Sequence, residues 1–399
     1  MQHVLRFTEE VNLNLTAAKG CMLYDDQGTA YLDLEAGTWS AALGHNHPAV
    51  NQTIQAQLGK ISHLGTRYPN QTVEQAAQDV LSITDMPDGQ CIFLSSGSEA
   101  VEFAVQSARR IAAHPLQLCL SNTYLAAYGS SSVKESTQWV ILDWKTCETC
   151  TQTGSSCATC PTLTNLPFDQ IGTFVFESGS FSGQVKFPPQ ALISEIARQI
   201  KQNDGLIVVN EITTGMGRTG KWFGYQHYNL QPDLVAIGKG LGNGYPVSAV
   251  AVTAKTAEAL KTSGFLYAQS HQNDPLGAAV ASTVIRTMQE EDTLAHCAVV
   301  GTFLKQQLEQ LKTAFPIILQ VRGRGLLIGL ELVSPEAAEA VYTQLFQRGF
   351  LCGFKKGSPM LRFFPPLTIQ ESELLPLCQV LRDIFADFND GFSATQTKS

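Results

Sequence analysis

The sequence lacks any long hydrophobic run and any cluster of basic residues. No stretch of about 18 consecutive apolar residues occurs. The opening residues, MQHVLRFTEEVNLNL, also lack the basic and then apolar segments of a secretory signal. We therefore expect a cytoplasmic protein without a membrane span. The net charge of -8 is spread along 399 residues, which argues against nucleic acid or a membrane surface as a partner and leaves small anionic ligands open.

Cysteine is too sparse for a disulfide scaffold, because only ten occur in the whole chain. Six are scattered, mostly among apolar neighbours, as small core residues would be. These six are Cys21, Cys91, Cys119, Cys297, Cys352 and Cys378. The other four, Cys147, Cys150, Cys157 and Cys160, form two CxxC pairs in CETCTQTGSSCATC. Two such turns can offer four thiolates to one ion, so we predict a structural zinc site, with disulfides or an iron–sulfur cluster as alternatives.

Short apolar runs alternate with helical patterns along most of the chain, which predicts an α/β fold with a mostly parallel, helix-covered sheet. Candidate strands lie at 92–94, 117–120, 139–142, 173–176 and 206–209. After about residue 290 a helical pattern at 299–314 precedes strand-like runs, which is typical of a smaller α+β domain. We predict a small domain made of residues 1–50 and 296–399. Residues 51–295 would form the large domain, with a cysteine-rich insert at 145–162.

Lys239 stands in a glycine-rich turn between two apolar runs, at 234–237 and 248–252. Both runs read as buried strands. A lysine is rarely placed in such surroundings without a function. Desolvation there can remove the proton from the amine, which can then attack a carbonyl carbon. The sequence therefore predicts covalent chemistry at Lys239.

The stretch from Val208 to Pro246, which contains Lys239, resembles the signature of class III pyridoxal-phosphate aminotransferases. That group includes ornithine, acetylornithine and 4-aminobutyrate aminotransferases. The matching positions besides the lysine are Gly215, Gly217, Arg218, Thr219, Gly220, Asp233, Gly238, Gly240 and Pro246. The resemblance implies a fold-type-I homodimer with active sites at the subunit interface. It also implies pyridoxal 5'-phosphate held on Lys239 as a Schiff base, and transfer of an amino group from an amino acid or primary amine to a 2-oxo acid.

Two further motifs follow predicted strands and resemble cofactor-binding segments of the family. Gly97 and Ser98 open a helix in SSGSEA, where backbone amides and the Ser98 hydroxyl would bind a phosphate. A plain serine N-cap is the alternative from the residues alone. Tyr124 lies where the family has an aromatic residue that stacks on the cofactor ring, although Leu125 and Ala126 replace the family's His and Gly.

The resemblance assigns three more positions to the cofactor. Glu177 corresponds to an EP motif in which Ser178 replaces the proline. Thr213 replaces a glutamine near the phenolic oxygen of the cofactor. Ser270 occupies the place of a threonine that reaches the phosphate in the neighbouring subunit.

Substrate recognition is assigned by the same resemblance to Arg362, in MLRFFPPL. A guanidinium suits a bidentate carboxylate. Some ω-amino-acid members carry a second glutamate five residues after the one matched by Glu177, and this chain has Ser182 there. That difference argues against ornithine or 4-aminobutyrate as the substrate.

Asn210 replaces the acidic residue that faces the pyridine nitrogen in the family. An amide cannot stabilise a protonated ring nitrogen as a carboxylate does, so slow or altered chemistry is expected. The alternatives to an aminotransferase are a racemase or lyase, and a weakly catalytic or non-catalytic cofactor-binding protein. The adjacent Glu211 is expected to point to the opposite face of its strand.

Overall fold

The computed structural model describes residues 3–5, 7, 11–150, 154–179 and 183–396. The strands in this part of the chain are β1 Leu15–Lys19, β2 Met22–Asp25, β3 Ala30–Asp33, β4 Gln90–Leu94, β5 Leu116–Leu120, β6 Trp139–Leu142, β7 Ile171–Glu177, β8 Leu206–Asn210, β9 Leu234–Ile237, β10 Ser248–Val252, β11 Ile318–Arg324, β12 Leu327–Leu332, β13 Phe350–Leu351 and β14 Met360–Phe363.

The helices are α1 Ala36–Trp39, α2 Pro48–Leu58, α3 Gln71–Ile83, α4 Gly97–Ile111, α5 Ser130–Val133, α6 Pro161–Thr164, α7 Gln190–Gln202, α8 Ala254–Thr262, α9 Pro275–Glu290, α10 Thr293–Ala314, α11 Pro335–Gln347 and α12 Glu371–Gln396. Short 3₁₀ segments lie at Lys145–Cys147, Gly154–Thr159, Gly224–Tyr228 and Lys239–Gly242. Each of these helices is too short or too polar to span a bilayer, as judged over the described residues.

A seven-stranded sheet forms the centre of the molecule, in the order β4-β10-β9-β8-β7-β5-β6. β10 runs antiparallel to both of its neighbours, and the pairs from β9 to β6 are parallel. β7, β9 and β10 are buried along their whole length, as expected of apolar strands covered on both faces. This confirms the predicted α/β fold with a mostly parallel sheet, and β6, β9 and β10 have the predicted bounds.

Two smaller sheets lie outside the central one, in the orders β1-β2-β3-β13 and β11-β12-β14. The first joins the beginning of the chain to its last third, because β13 pairs with β3 in parallel. This pairing is the contact that a small domain built from both ends of the chain requires. The predicted boundaries at residues 50 and 295 stay a prediction.

Candidate active site

The candidate site lies at the carboxyl ends of β7, β8 and β9. Glu177 is the last residue of β7 and Asn210 the last of β8, and the two are register partners. Lys239 follows the end of β9 by two residues and begins a 3₁₀ segment with a φ of 44°. Ligands of open α/β sheets bind at this edge, because the loops after parallel strands converge there.

The Lys239 amine is in a largely dehydrated environment. Its Nζ donates a hydrogen bond to Thr213 Oγ1 at 3.0 Å and lies 4.1 Å from the ring centroid of Trp39. Burial lowers the pKa of Lys239 to about 8, and the Glu177 carboxylate opposes that shift. A neutral amine is therefore accessible near neutral pH, as nucleophilic attack on a carbonyl requires.

Trp39 reaches the amine through an unusual backbone. Ala36, Gly37, Thr38 and Trp39 have φ values of 47°, 58°, 60° and 70°. Non-glycine residues adopt this left-handed conformation at a cost, and such strain concentrates at functional sites. The turn places one indole ring near two cations, since the Arg362 guanidinium carbon lies 5.7 Å from the same ring centroid.

Arg362 is paired with a carboxylate of its own chain. Its Nη2 lies 3.3 Å from Glu35 Oε1, and its buried Nε has no hydrogen-bond partner among the described residues. An orphaned guanidinium N–H is costly when buried, so it favours a further acceptor. A bound carboxylate would supply one, which fits the predicted role of Arg362. Ser182 lies outside the described residues.

A hydrogen-bond network connects Tyr124, Glu177 and Asn210. The Tyr124 N–H donates to Glu177 Oε2 at 2.9 Å, and Asn210 Nδ2 donates to the Tyr124 carbonyl oxygen at 3.0 Å. Asn210 Oδ1 accepts from the Ile212 N–H at 3.1 Å. These partners fix the orientation of the amide. The network holds the loop that carries Tyr124, whose side chain is 54% exposed at the open side of the site.

Glu211 takes no part in this network, in agreement with the alternation of side chains along a strand. It is fully buried and accepts hydrogen bonds from the amides of Gly224 and Tyr225 and the hydroxyls of Thr214 and Ser178. Burial raises the pKa of Glu211 to about 7, and these donors oppose that shift. The carboxylate therefore does not replace the acid missing at position 210.

The start of α4 packs closely against the lysine turn. Ser96 is the N-cap, accepting from the Glu99 N–H. A Cβ on Gly97 would lie 2.6 Å from Ile212, and one on Gly238 would lie 3.4 Å from the Gly97 Cα. At Gly97 a side chain would force Ile212 to move. The close packing brings the positive end of a 15-residue helix beside the turn of Lys239. The arrangement fits a ligand with a carbonyl carbon at the lysine and a phosphate at the helix.

Ser98 and Ser270 differ in what the structure shows of them. Ser98 Oγ accepts from the Ala127 N–H at 2.9 Å, which ties the helix to the Tyr124 loop and leaves the hydroxyl proton free to donate. Ser270 is exposed, and within the described chain no hydrogen bond joins it to Lys239 or to α4. Its predicted contact with a neighbouring subunit stays a prediction.

Three residues near the site were not predicted from the sequence: Trp39, Glu35 and the buried Arg218. Arg218 affects the pKa of Lys239. Repulsion by Arg218 helps to lower the pKa of the lysine, although less than burial does. The matched RTG motif contains Arg218, but nothing in it indicates that the guanidinium is buried below the site. Two acidic residues, Asp33 and Glu35, alternate with leucines in LDLEAG, and this pattern was an available signal for Glu35.

Two groups of potential metal ligands lie away from Lys239. Cys147, Cys150, Cys157 and Cys160 line one cavity. The second group is His63, His271 and Asp274, whose ligand atoms lie within 4.8 Å of one another. The four cysteine sulfurs do not all lie that close together. Each of these histidines is exposed and already directs its Nδ1 at Asp274, at 2.6 and 2.5 Å.

Comparison with known proteins places this geometry in a family. The family model described as aminotransferase class-III matches residues 6–117 and 117–385. The acetylornithine aminotransferase of Bacillus subtilis is 30% identical, over 94% of this chain and 95% of the relative. That of Aquifex aeolicus is 28% identical, over 96% of this chain and all of the relative.

Solved structures share the fold across nearly the whole chain. The S-selective transaminase from Bacillus megaterium superposes with a TM-score of 0.88 at 22% identity, covering 98% of this chain and 97% of the other. The ornithine aminotransferase from Toxoplasma gondii gives a TM-score of 0.85 at 22% identity, covering 98% and 94%. The predicted fold type is thus confirmed.

Proposed function

This chain belongs to the class III aminotransferase family, and from that premise we propose that it transfers an amino group from an amino acid or primary amine to a 2-oxo acid, with pyridoxal 5'-phosphate as cofactor. The observation that carries the proposal is the Lys239 amine, which has a lowered pKa and lies 4.1 Å from the Trp39 ring centroid, in a turn that packs against the start of α4. The comparisons give no support to the racemase, lyase or non-catalytic alternatives.

The residues that would hold the cofactor surround this amine. Bound pyridoxal phosphate supplies an aldehyde carbon that carries the amino group and a ring that accepts electrons from the substrate. Lys239 would bond to that carbon, and its released amine would move the substrate proton. Gly97 and Ser98 would bind the phosphate, Tyr124 would stack on the ring, and Thr213, which accepts from the Lys239 amine, would lie beside the phenolic oxygen.

Asn210 and Glu177 would support the ring from the sheet edge. Asn210 directs one N–H to the Tyr124 carbonyl, which leaves its second N–H to donate to an unprotonated ring nitrogen. Glu177 holds the Tyr124 loop through its carboxylate. The chemistry would then rely less on ring protonation and more on the positions of Lys239 and Thr213.

Arg362 would bind the substrate carboxylate after releasing Glu35. The pair at 3.3 Å keeps the guanidinium oriented when no carboxylate is present, and the substrate would complete the partners of Nε. An amino donor without a carboxylate would leave the Glu35 pair intact. Both classes of donor therefore fit the site.

A homodimer is the assembly that we propose for this site. The exposed Tyr124 and Ser270 side chains are positions that a second subunit would cover. Sedimentation of the purified protein should give twice the chain mass of 43.3 kDa. A monomer that is fully active would contradict the interfacial site. The cytoplasmic location expected from the sequence stays a prediction.

The function is tested with a panel of amino donors and 2-oxo acids. Cofactor-loaded protein should convert a donor to its ketone or aldehyde while an equal amount of the 2-oxo acid becomes the amino acid. Lys239→Ala should abolish this exchange, whereas Lys255→Ala, on the exposed side of α8, should not change it. Hydrogen exchange at the donor Cα without any transfer would contradict the proposal.

A further inference from the structure

The four-cysteine segment is outside the catalytic site and has its own cavity. Cys147, Cys150, Cys157 and Cys160 line a space of about 40 Å³ together with apolar atoms of Leu163, Pro189 and Leu192. This volume holds a single ion and is too small for an organic ligand. All four thiols are free, with no disulfide between them.

The two CxxC pairs have the same backbone geometry. The Cys150 N–H donates to the Cys147 carbonyl at 3.2 Å, and the Cys160 N–H donates to the Cys157 carbonyl at 3.3 Å. Each pair therefore closes a four-residue turn, and all four thiols line the same cavity. Two such turns facing one cavity can supply four sulfur donors to one ion.

The chemistry of the lining fits a metal ion. Four sulfurs face the cavity, and the other residues around it are Thr162, Leu163, Pro189, Ala191 and Leu192. Deprotonated sulfurs crowded in this way repel one another, and a divalent ion that binds all four relieves the repulsion.

We propose that Cys147, Cys150, Cys157 and Cys160 bind one soft divalent cation of the zinc type. Each thiol releases its proton to solvent as its sulfur binds, without any change of oxidation state. Because the four sulfurs share the cavity but do not all lie within 4.8 Å of one another, binding draws the two turns together. Thiolate ligands select zinc over the harder divalent cations.

The site also anchors a segment that leads to Arg362. Pro189 and Leu192, which line the cavity, lie at the start of α7. Glu148, between the first two cysteines, pairs with Lys186 at 2.7 Å. The same segment reaches Arg362, because a Cβ on Gly183 would lie 2.7 Å from Arg362 Nη1. Metal binding therefore orders residues 183–189, and its consequence for substrate carboxylates rests on the role proposed above for Arg362.

The metal content of the full-length protein tests the site directly. Protein purified without chelator should contain about one zinc ion per chain by mass spectrometry of the element. Cys147→Ser and Cys160→Ser should lose it, whereas Cys91→Ser, in β4, should retain it. Four titratable thiols with no zinc uptake, two disulfides, or iron with sulfide in place of zinc would each overturn the assignment.

Hydrogen exchange tests the anchoring step without any activity measurement. Removing zinc with a chelator should speed amide exchange in peptides covering 183–189 several-fold, and added zinc should reverse it. Peptides from α9, which does not touch the cavity, serve as the control. Unchanged exchange in 183–189 would refute the anchoring, while loss of zinc from the cysteine variants would still stand. Neither readout depends on aminotransferase activity, so failure of the proposed reaction would be recognised separately.

Discussion

Replacing Lys239 with methionine should stabilise the cofactor-free protein while removing its function. Methionine has a similar length and a full Cβ, so it meets the same backbone restriction at a φ of 44°. The substitution removes an ammonium group from a largely dehydrated position. Strain at the turn is therefore unchanged, and the difference in the free energy of unfolding reports the burial of the charge.

The size of the effect follows from the pKa. Its fall from the ordinary 10.5 to about 8, at about 1.36 kcal/mol per unit, makes the buried ammonium unfavourable by about 3 kcal/mol. Contact with the Trp39 ring offsets roughly 1 kcal/mol of this. We therefore expect Lys239→Met to raise the free energy of unfolding by about 2 kcal/mol at pH 7.

The sign of the pH dependence is fixed by the direction of the shift. Below pH 8 the amine is protonated in both states and the full penalty is present. Between pH 8 and 10.5 the folded protein has lost a proton that the unfolded chain still holds, so the stability of the parent protein rises with pH relative to the variant. Above that range the difference between them should vanish.

Urea unfolding of both cofactor-free proteins, at one fixed protein concentration and from pH 7 to pH 10.5, measures this difference. Lys255→Met is the control, because Lys255 is exposed and its replacement removes no buried charge. A methionine variant less stable than the parent, or a difference that does not change with pH, would show that Lys239 is not a buried, destabilising charge.

Three further substitutions test other parts of the site. Gly97→Ala places a Cβ 2.6 Å from a side-chain carbon of Ile212. It should therefore destabilise the fold by roughly 1–3 kcal/mol and weaken cofactor binding in a spectral titration. Gly65→Ala is the control and should do neither, because its Cβ would have no neighbour within 4 Å. Asn210→Asp sets a carboxylate against the Tyr124 carbonyl, which lies 3.0 Å from the present amide nitrogen. Urea unfolding should show a free energy of unfolding lower by about 1–2 kcal/mol at pH 8, and a smaller loss at pH 5. Equal losses at the two pH values would contradict this. Glu35→Gln weakens the pair with the Arg362 guanidinium. KM should therefore fall several-fold for donors with a carboxylate and stay unchanged for simple amines. Equal changes for both kinds of donor would show that Glu35 does not compete with the substrate carboxylate for Arg362.

Much of the fold was predictable because local pattern and tertiary environment agree. The apolar runs at 234–237 and 248–252 became β9 and β10 with the same bounds, since strands buried on both faces need continuous apolar residues. Lys239 therefore lies in the connection between these two strands, as predicted. The opposite orientations of Asn210 and Glu211 also followed from alternation along β8.

The parts that could not be predicted depend on long-range approach. Trp39 reaches Lys239 through four successive left-handed residues, of which only Gly37 has a sequence preference for that conformation. Glu35 meets Arg362 across 327 positions of the chain. No local pattern encodes such a contact. The spacing of the cysteines indicated a shared site, and only the fold shows its connection to Lys186.

The proposed function requires that the cofactor is bound to one particular lysine, Lys239. Cofactor-loaded protein is reduced with borohydride, digested and examined by peptide mass spectrometry. We expect one pyridoxyl adduct per chain, located on Lys239. An adduct on another lysine, or none in protein that retains the cofactor, would contradict it.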